Sequence, residues 1–94
     1  MKNIEAKTAI EYFTKKAKAF VTEFENHKQK CKNYPQNYEC CIRQVNNLVI
    51  LAEIAEELCG VNICVEHIPA TNAPYDAGVL TVFVNKAKIT NEEK

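Results

Sequence analysis

Two histidines and five cysteines carry most of the chemistry that this 94-residue chain could perform. His27 and Cys31 are four apart, a spacing that puts two side chains on one helix face as a pair of metal ligands would sit. Cys40 and Cys41 follow across a short break, so a helical hairpin would bring all four together as a candidate zinc set. The spacing lacks a CxxC knuckle, however, and His27 and Cys31 also continue an apolar seam. The expectation is therefore packing, with no metal and no cofactor. Cys64 and His67 are three apart in a strand-like segment, which sends them to opposite faces and argues against joint ligation.

Nucleophilic catalysis needs a depressed thiol pKa and a committed base. Cys40 and Cys41 fall in the first turn of a helix, where the dipole favours thiolate. Neither has an obvious histidine partner, and Glu39 opposes the effect. The chain has only two glycines, no Gly-rich phosphate loop and no GxSxG motif. The reading is a binder, not an enzyme.

The elements that position these residues follow from periodicity. Tyr38 to Cys59, YECCIRQVNNLVILAEIAEELC, is the most apolar helical stretch. At about 100° per residue, Cys41, Val45, Leu48, Ala52, Ala55 and Cys59 form one stripe. Leu51 and Leu58 widen it on one side, Ile42 and Val49 on the other. Arg43, Asn46, Asn47, Glu53 and Glu57 take the opposite face, yet Ile50 and Ile54 project into the middle of it. Either a second layer of the same chain covers these two or a partner does. That makes Arg43, Asn47, Ile50 and Ile54 the candidate partner-binding residues. Gly60 marks a left-handed cap at the end of the helix.

Ahead of it, residues 3–32 keep a three-and-four rhythm through Ala6, Ile10, Phe13, Ala17, Phe20, Phe24, His27 and Cys31, the seam of a second helix. At 1.5 Å per residue it would be about 45 Å long. A compact chain of this size has a radius of gyration near 12 Å, so the helix implies either an elongated protomer or a partner along the overhang. Pro35 breaks the helical run, and Asn37 is the expected N-cap of the helix at 38–59. After Gly60 the period falls to two, predicting strands at 61–68 and 79–85. About ten residues join them, longer than a hairpin turn requires, and Asn72, Tyr75 and Asp76 there form a candidate ligand or partner loop. A short extension is expected around Ala87 and Ile89.

The whole reads as a single α+β domain, a long antiparallel helix hairpin followed by a β-hairpin (ααββ). Two strands do not make a stable sheet alone, so the fold is expected to be completed by oligomerisation, most simply as a twofold homodimer.

Composition limits the partners. Formal net charge is zero, which argues against a dedicated nucleic-acid binder. The charge is nonetheless uneven: residues 1–32 carry eight lysines and four glutamates, residues 33–60 one arginine and four glutamates. A sequence-neutral nucleic-acid binder using the lysines of the first helix is thus the third functional reading. No apolar run could span a bilayer, and the amino-terminal MKNIEAKTAIEY does not read as a signal peptide. The expected location is the cytoplasm, with no membrane association. The odd cysteine count then reads as free thiols. Eleven lysines against one arginine, with ten asparagines, suggest an AT-rich genome.

The segments AIEYFTKKAK, NYECC and LAEIAEEL, within residues 8–58, resemble the small helical-hairpin proteins of unknown role encoded by phages and prophages of Gram-positive bacteria. The strand region falls outside that resemblance. It implies a mobile-element accessory protein acting in the host cytoplasm, and many such proteins inhibit host defence, by capping a host protein or by sequestering a signalling nucleotide. The first reading is accordingly a non-catalytic interaction protein that binds and inhibits a host defence component. The second is an oligomeric small-molecule binder that sequesters a nucleotide-like signal. No site residue carries over from the resemblance.

Overall fold

A computed structural model describes residues 6–90. The order is α1 (Ala6–Cys31), α2 (Asn37–Cys59), β1 (Ile63–Ile68), β2 (Val79–Val84) and β3 (Ala87–Lys88). The fold is α+β with the ααββ layout, and the extension beyond β2 adds a third short strand. Residues 3–5 of the expected first helix lie outside the described residues. Its other end stops at Cys31, because Lys32 and Asn33 already form the turn.

The helices pack as an antiparallel hairpin, and its turn is braced by a side chain that was expected to do something else. Asn37 does not cap α2; Gln36 occupies that position in helical geometry, with no side-chain cap bond. Asn37 instead donates from Nδ2 to the Tyr34 carbonyl at 3.0 Å. Its Oδ1 accepts from His27 Nδ1 at 2.9 Å. A cap serves one helix, whereas these two bonds tie α1, the turn and α2 together.

The α1 seam is wider than a hairpin contact needs. Phe13, Ala17, Phe24 and Cys31 are buried as expected, but so are Ala9 and Val21, while Ile10 and Phe20 are half-buried. The cause is a second neighbour: α1 packs against β2 as well as α2.

Both strands proved shorter than expected. Val61 donates its N–H to the Ala55 carbonyl at 3.1 Å, so it belongs to the end of α2, where Gly60 has φ 67°. Asn85, at φ 48°, already begins the turn to β3. The sheet order is β1-β2-β3, antiparallel throughout, with Ile63 opposite Val84, Val65 opposite Val82 and His67 opposite Leu80. This set faces the helices, and Ile63, Leu80, Val82 and Val84 are buried. Cys64, Glu66, Ile68, Val79, Thr81 and Phe83 alternate onto the outer face. Ile89 closes the far side, its N–H donating to the Val82 carbonyl at 2.8 Å.

The described chain measures 48 × 27 × 21 Å with a radius of gyration of 14.2 Å. It is more elongated than the roughly 12 Å of a compact chain this size.

Candidate functional site

The chemistry-bearing residues at the hairpin end do not form a metal site. His27 is engaged with Asn37 and lies 3.5 Å from Glu23. Cys31 donates to the His27 carbonyl at 3.4 Å, and Cys41 to the Phe24 carbonyl at 3.5 Å. Among the described residues, no three His, Cys, Asp or Glu side chains are grouped to hold a metal ion. Cys40 is half-buried, and all five cysteines are free thiols.

Position in the first turns of α2 does not activate Cys41. Burial first, and then the neighbouring Cys31, push its thiol from an ordinary 9.0 up to about 12. Desolvation outweighs the helix dipole, and the group is a protonated thiol at neutral pH. The folded state holds this proton to higher pH than the unfolded chain does. The resulting stability is complete below about pH 9 and is lost as pH rises toward 12. Between about pH 8 and about pH 10.5, wild type should lose on the order of 2 kcal/mol more than Cys41→Ala does. Urea unfolding across that range checks it, and parallel losses in the two proteins would refute the assignment.

The long loop, 69–78, is anchored rather than free. Lys28 donates from Nζ to the Gly78 carbonyl at 2.7 Å and lies 3.8 Å from Asp76. His67 donates from Nε2 to the Ala77 carbonyl at 2.7 Å, which places its proton on that nitrogen. Asp76 Oδ1 accepts the Gly78 N–H at 2.9 Å. Of the three candidate loop residues, Asp76 is therefore a brace, whereas Asn72 and Tyr75 stand exposed at the tip, joined by a Tyr75 N–H to Asn72 carbonyl bond of 2.9 Å.

The four α2 candidates lie on one face, and the structure adds to them. Ile50 is 54% and Ile54 42% exposed, so among the described residues no second layer of this chain covers them, contrary to one of the two expectations. Leu58, expected to flank the buried stripe, is 77% exposed. It continues the row at the next four-residue step, which makes Ile50, Ile54 and Leu58 one apolar ridge. Glu53 and Glu57 border the ridge and are exposed, as is Arg43 at its other end; Asn47 is half-buried and donates to Gln44 Oε1 at 3.3 Å. Arg43 also helps line a shallow, open concavity of about 340 Å³ with Tyr38, Glu39, Ile42 and Asn46. Glu39 there offsets the one cation, so the concavity does not favour an anion.

The loop and the ridge are separate surfaces. Asp76 meets Lys28 near the end of α1, which packs beside the start of α2, whereas Ile54 and Leu58 lie in the last turns of α2. Among the described residues, no helix is long and apolar enough to cross a membrane. No family model, curated protein or solved structure matches the chain.

Proposed function

We propose that this is a non-catalytic interaction protein whose α2 ridge docks onto another macromolecule. One observation carries the reading: Ile50, Ile54 and Leu58 project in a row from a helix that enters the core through other positions, Cys41, Leu48, Leu51 and Ala55. Burying such side chains is worth about 1.5–3 kcal/mol each, enough together to anchor an interface. Glu53 and Glu57 along one side of the row give the apolar ridge an acidic border, which suits an apolar groove flanked by Lys or Arg. The resemblance of residues 8–58 to phage and prophage proteins supports a host defence component as the target and inhibition as the outcome.

The test separates docking from folding. Ile50→Glu with Ile54→Glu changes only exposed positions, so the melting temperature should move by no more than a few degrees, because surface substitutions stay within about 0.5 kcal/mol. Capture of the partner from host lysate should fall by at least roughly thirtyfold, as expected when two anchors worth over 1 kcal/mol each are lost. A folded double variant that still captures the same protein and still protects a phage in the host would overturn the proposal. A panel of cyclic nucleotides in a thermal-shift assay addresses sequestration directly, since a ligand at 100 times its Kd stabilises by about 2.7 kcal/mol.

A further inference from the structure

Among the described residues the side of β1 away from β2 is an unpaired edge, and its backbone geometry can be read from two bonds. The Asn85 N–H donates to the Asn62 carbonyl at 2.7 Å, which places Asn62 opposite Asn85 in a bonded pair. The Ile89 N–H reaches the Val82 carbonyl, which turns the Val82 backbone away from β1. Alternation along an antiparallel ladder then makes Cys64–Phe83, Glu66–Thr81 and Ile68–Val79 the bonded pairs. The N–H and C=O groups of Ile63, Val65 and His67 therefore point out from the sheet, and among the described residues no backbone bond outside the ladder takes them up.

Natural edges are blunted by lysines, prolines, bulges or brevity. β1 has no lysine, proline or bulge over its length, and its one charge is Glu66: six residues, ICVEHI, paired one to one with β2. We propose that two copies of the chain join edge to edge through β1, antiparallel about a twofold axis at Val65, giving one six-stranded sheet. In that register Val65 faces the partner's Val65, and Ile63 faces the partner's His67. Three outward N–H groups from each copy then meet three outward carbonyls.

Side-chain charge selects this register over its neighbour. Shifting the axis to Glu66 would set that carboxylate directly against its own copy, and like charges directly opposite are destabilising. With the axis at Val65, Glu66 instead faces the partner's Cys64. Cys64 and Glu66 of one chain share the outer face, with Sγ 4.0 Å from Oε2. The strand is thus its own complement, which is what an isologous contact requires. This contact leaves the α2 ridge out of its argument, so either proposal can fail alone.

Disulfide trapping reads the register. Glu66→Cys places a thiol directly opposite the partner's Cys64 in a non-bonded pair, with Cα atoms about 4.5 Å apart and within disulfide reach. In wild type the two Cys64 residues would lie on the diagonal, about 7–8 Å apart and beyond that reach. Diamide takes two electrons and two protons from each thiol pair as the S–S bond forms. The variant should give mostly covalent dimer, with peptide mapping showing the 64-to-66 link, while wild type gives little. Val65→Pro removes the N–H at the axis and leaves every bond to β2 intact, so sedimentation should show a wild-type dimer weakened by at least roughly tenfold. A wild-type monomer at micromolar concentration, a covalent yield no higher than wild type, or a dimer untouched by a folded Val65→Pro would each overturn the proposal.

Discussion

Gly78→Ala will destabilise the fold by about 2–5 kcal/mol, because alanine is wrong there in conformation and in volume. Gly78 sits at φ 87°, a region that costs an L-residue about 1–2 kcal/mol. An added Cβ would also overlap the Ile68 carbonyl oxygen and come within 3.0 Å of Ala70 N. Both obstacles are backbone, so relief requires moving the strand ends rather than turning a side chain. Those ends carry the brace of the loop: Lys28 on the Gly78 carbonyl, His67 on the Ala77 carbonyl and Asp76 on the Gly78 N–H. The melting temperature should drop by roughly 8–40 °C, at about 4–8 °C per kcal/mol for a chain this size. Gly60→Ala is the control. Its φ of 67° carries the same conformational cost, but nothing lies within 4 Å of the added atom. If the two variants lose equal stability, the close approach of the loop to β1 is refuted.

How much of this was legible from residue order can be judged position by position. The change from helical to strand period at Gly60 set the element order, because only glycine enters the left-handed cap without penalty. The projection of Ile50 and Ile54 was legible too, since a helical wheel fixes which way a side chain points. A wheel does not say how far a covering element extends. Leu58 therefore read as a flank of the core, although the last turn of α2 leaves it largely exposed. The same limit explains Val21: α1 contacts two neighbours, and the seam that one helix would need is narrower than the arc two layers bury. Asn37 read as a cap because local rules pair such a residue with the nearest helix start. Its partner His27 is ten residues away, and only the closing of the hairpin brings them together. The free edge of β1 was not legible, because which strand lies at the margin and which of its residues face outward both require the sheet order and register.

Phe24→Ala should cost about 3–5 kcal/mol, the range for removing a buried aromatic side chain. Phe24 is fully buried and stands among the largest such side chains in the core. Three elements meet at it. It belongs to α1, its carbonyl accepts the Cys41 thiol of α2, and its ring lies 5.9 Å from the His67 ring of β1 at an interplanar angle of 78°. Domains are stable by only about 5–15 kcal/mol, so the variant should lose a large fraction of its stability. Urea unfolding at low temperature would show the midpoint reduced with the slope unchanged, as expected when stability falls but the exposed area does not. Phe20→Ala, at a half-buried position on the same helix, should lose less than half as much. The loss at Phe24 should also reach the loop, because His67 holds the Ala77 carbonyl only while its ring is supported from below. Proteolysis within 69–78 should therefore accelerate in Phe24→Ala before global unfolding, and in Phe20→Ala only with it. Equal losses at Phe20 and Phe24 would mean that α1 faces its neighbours along a different line, and the outward direction assigned to the α2 ridge would then need to be redrawn.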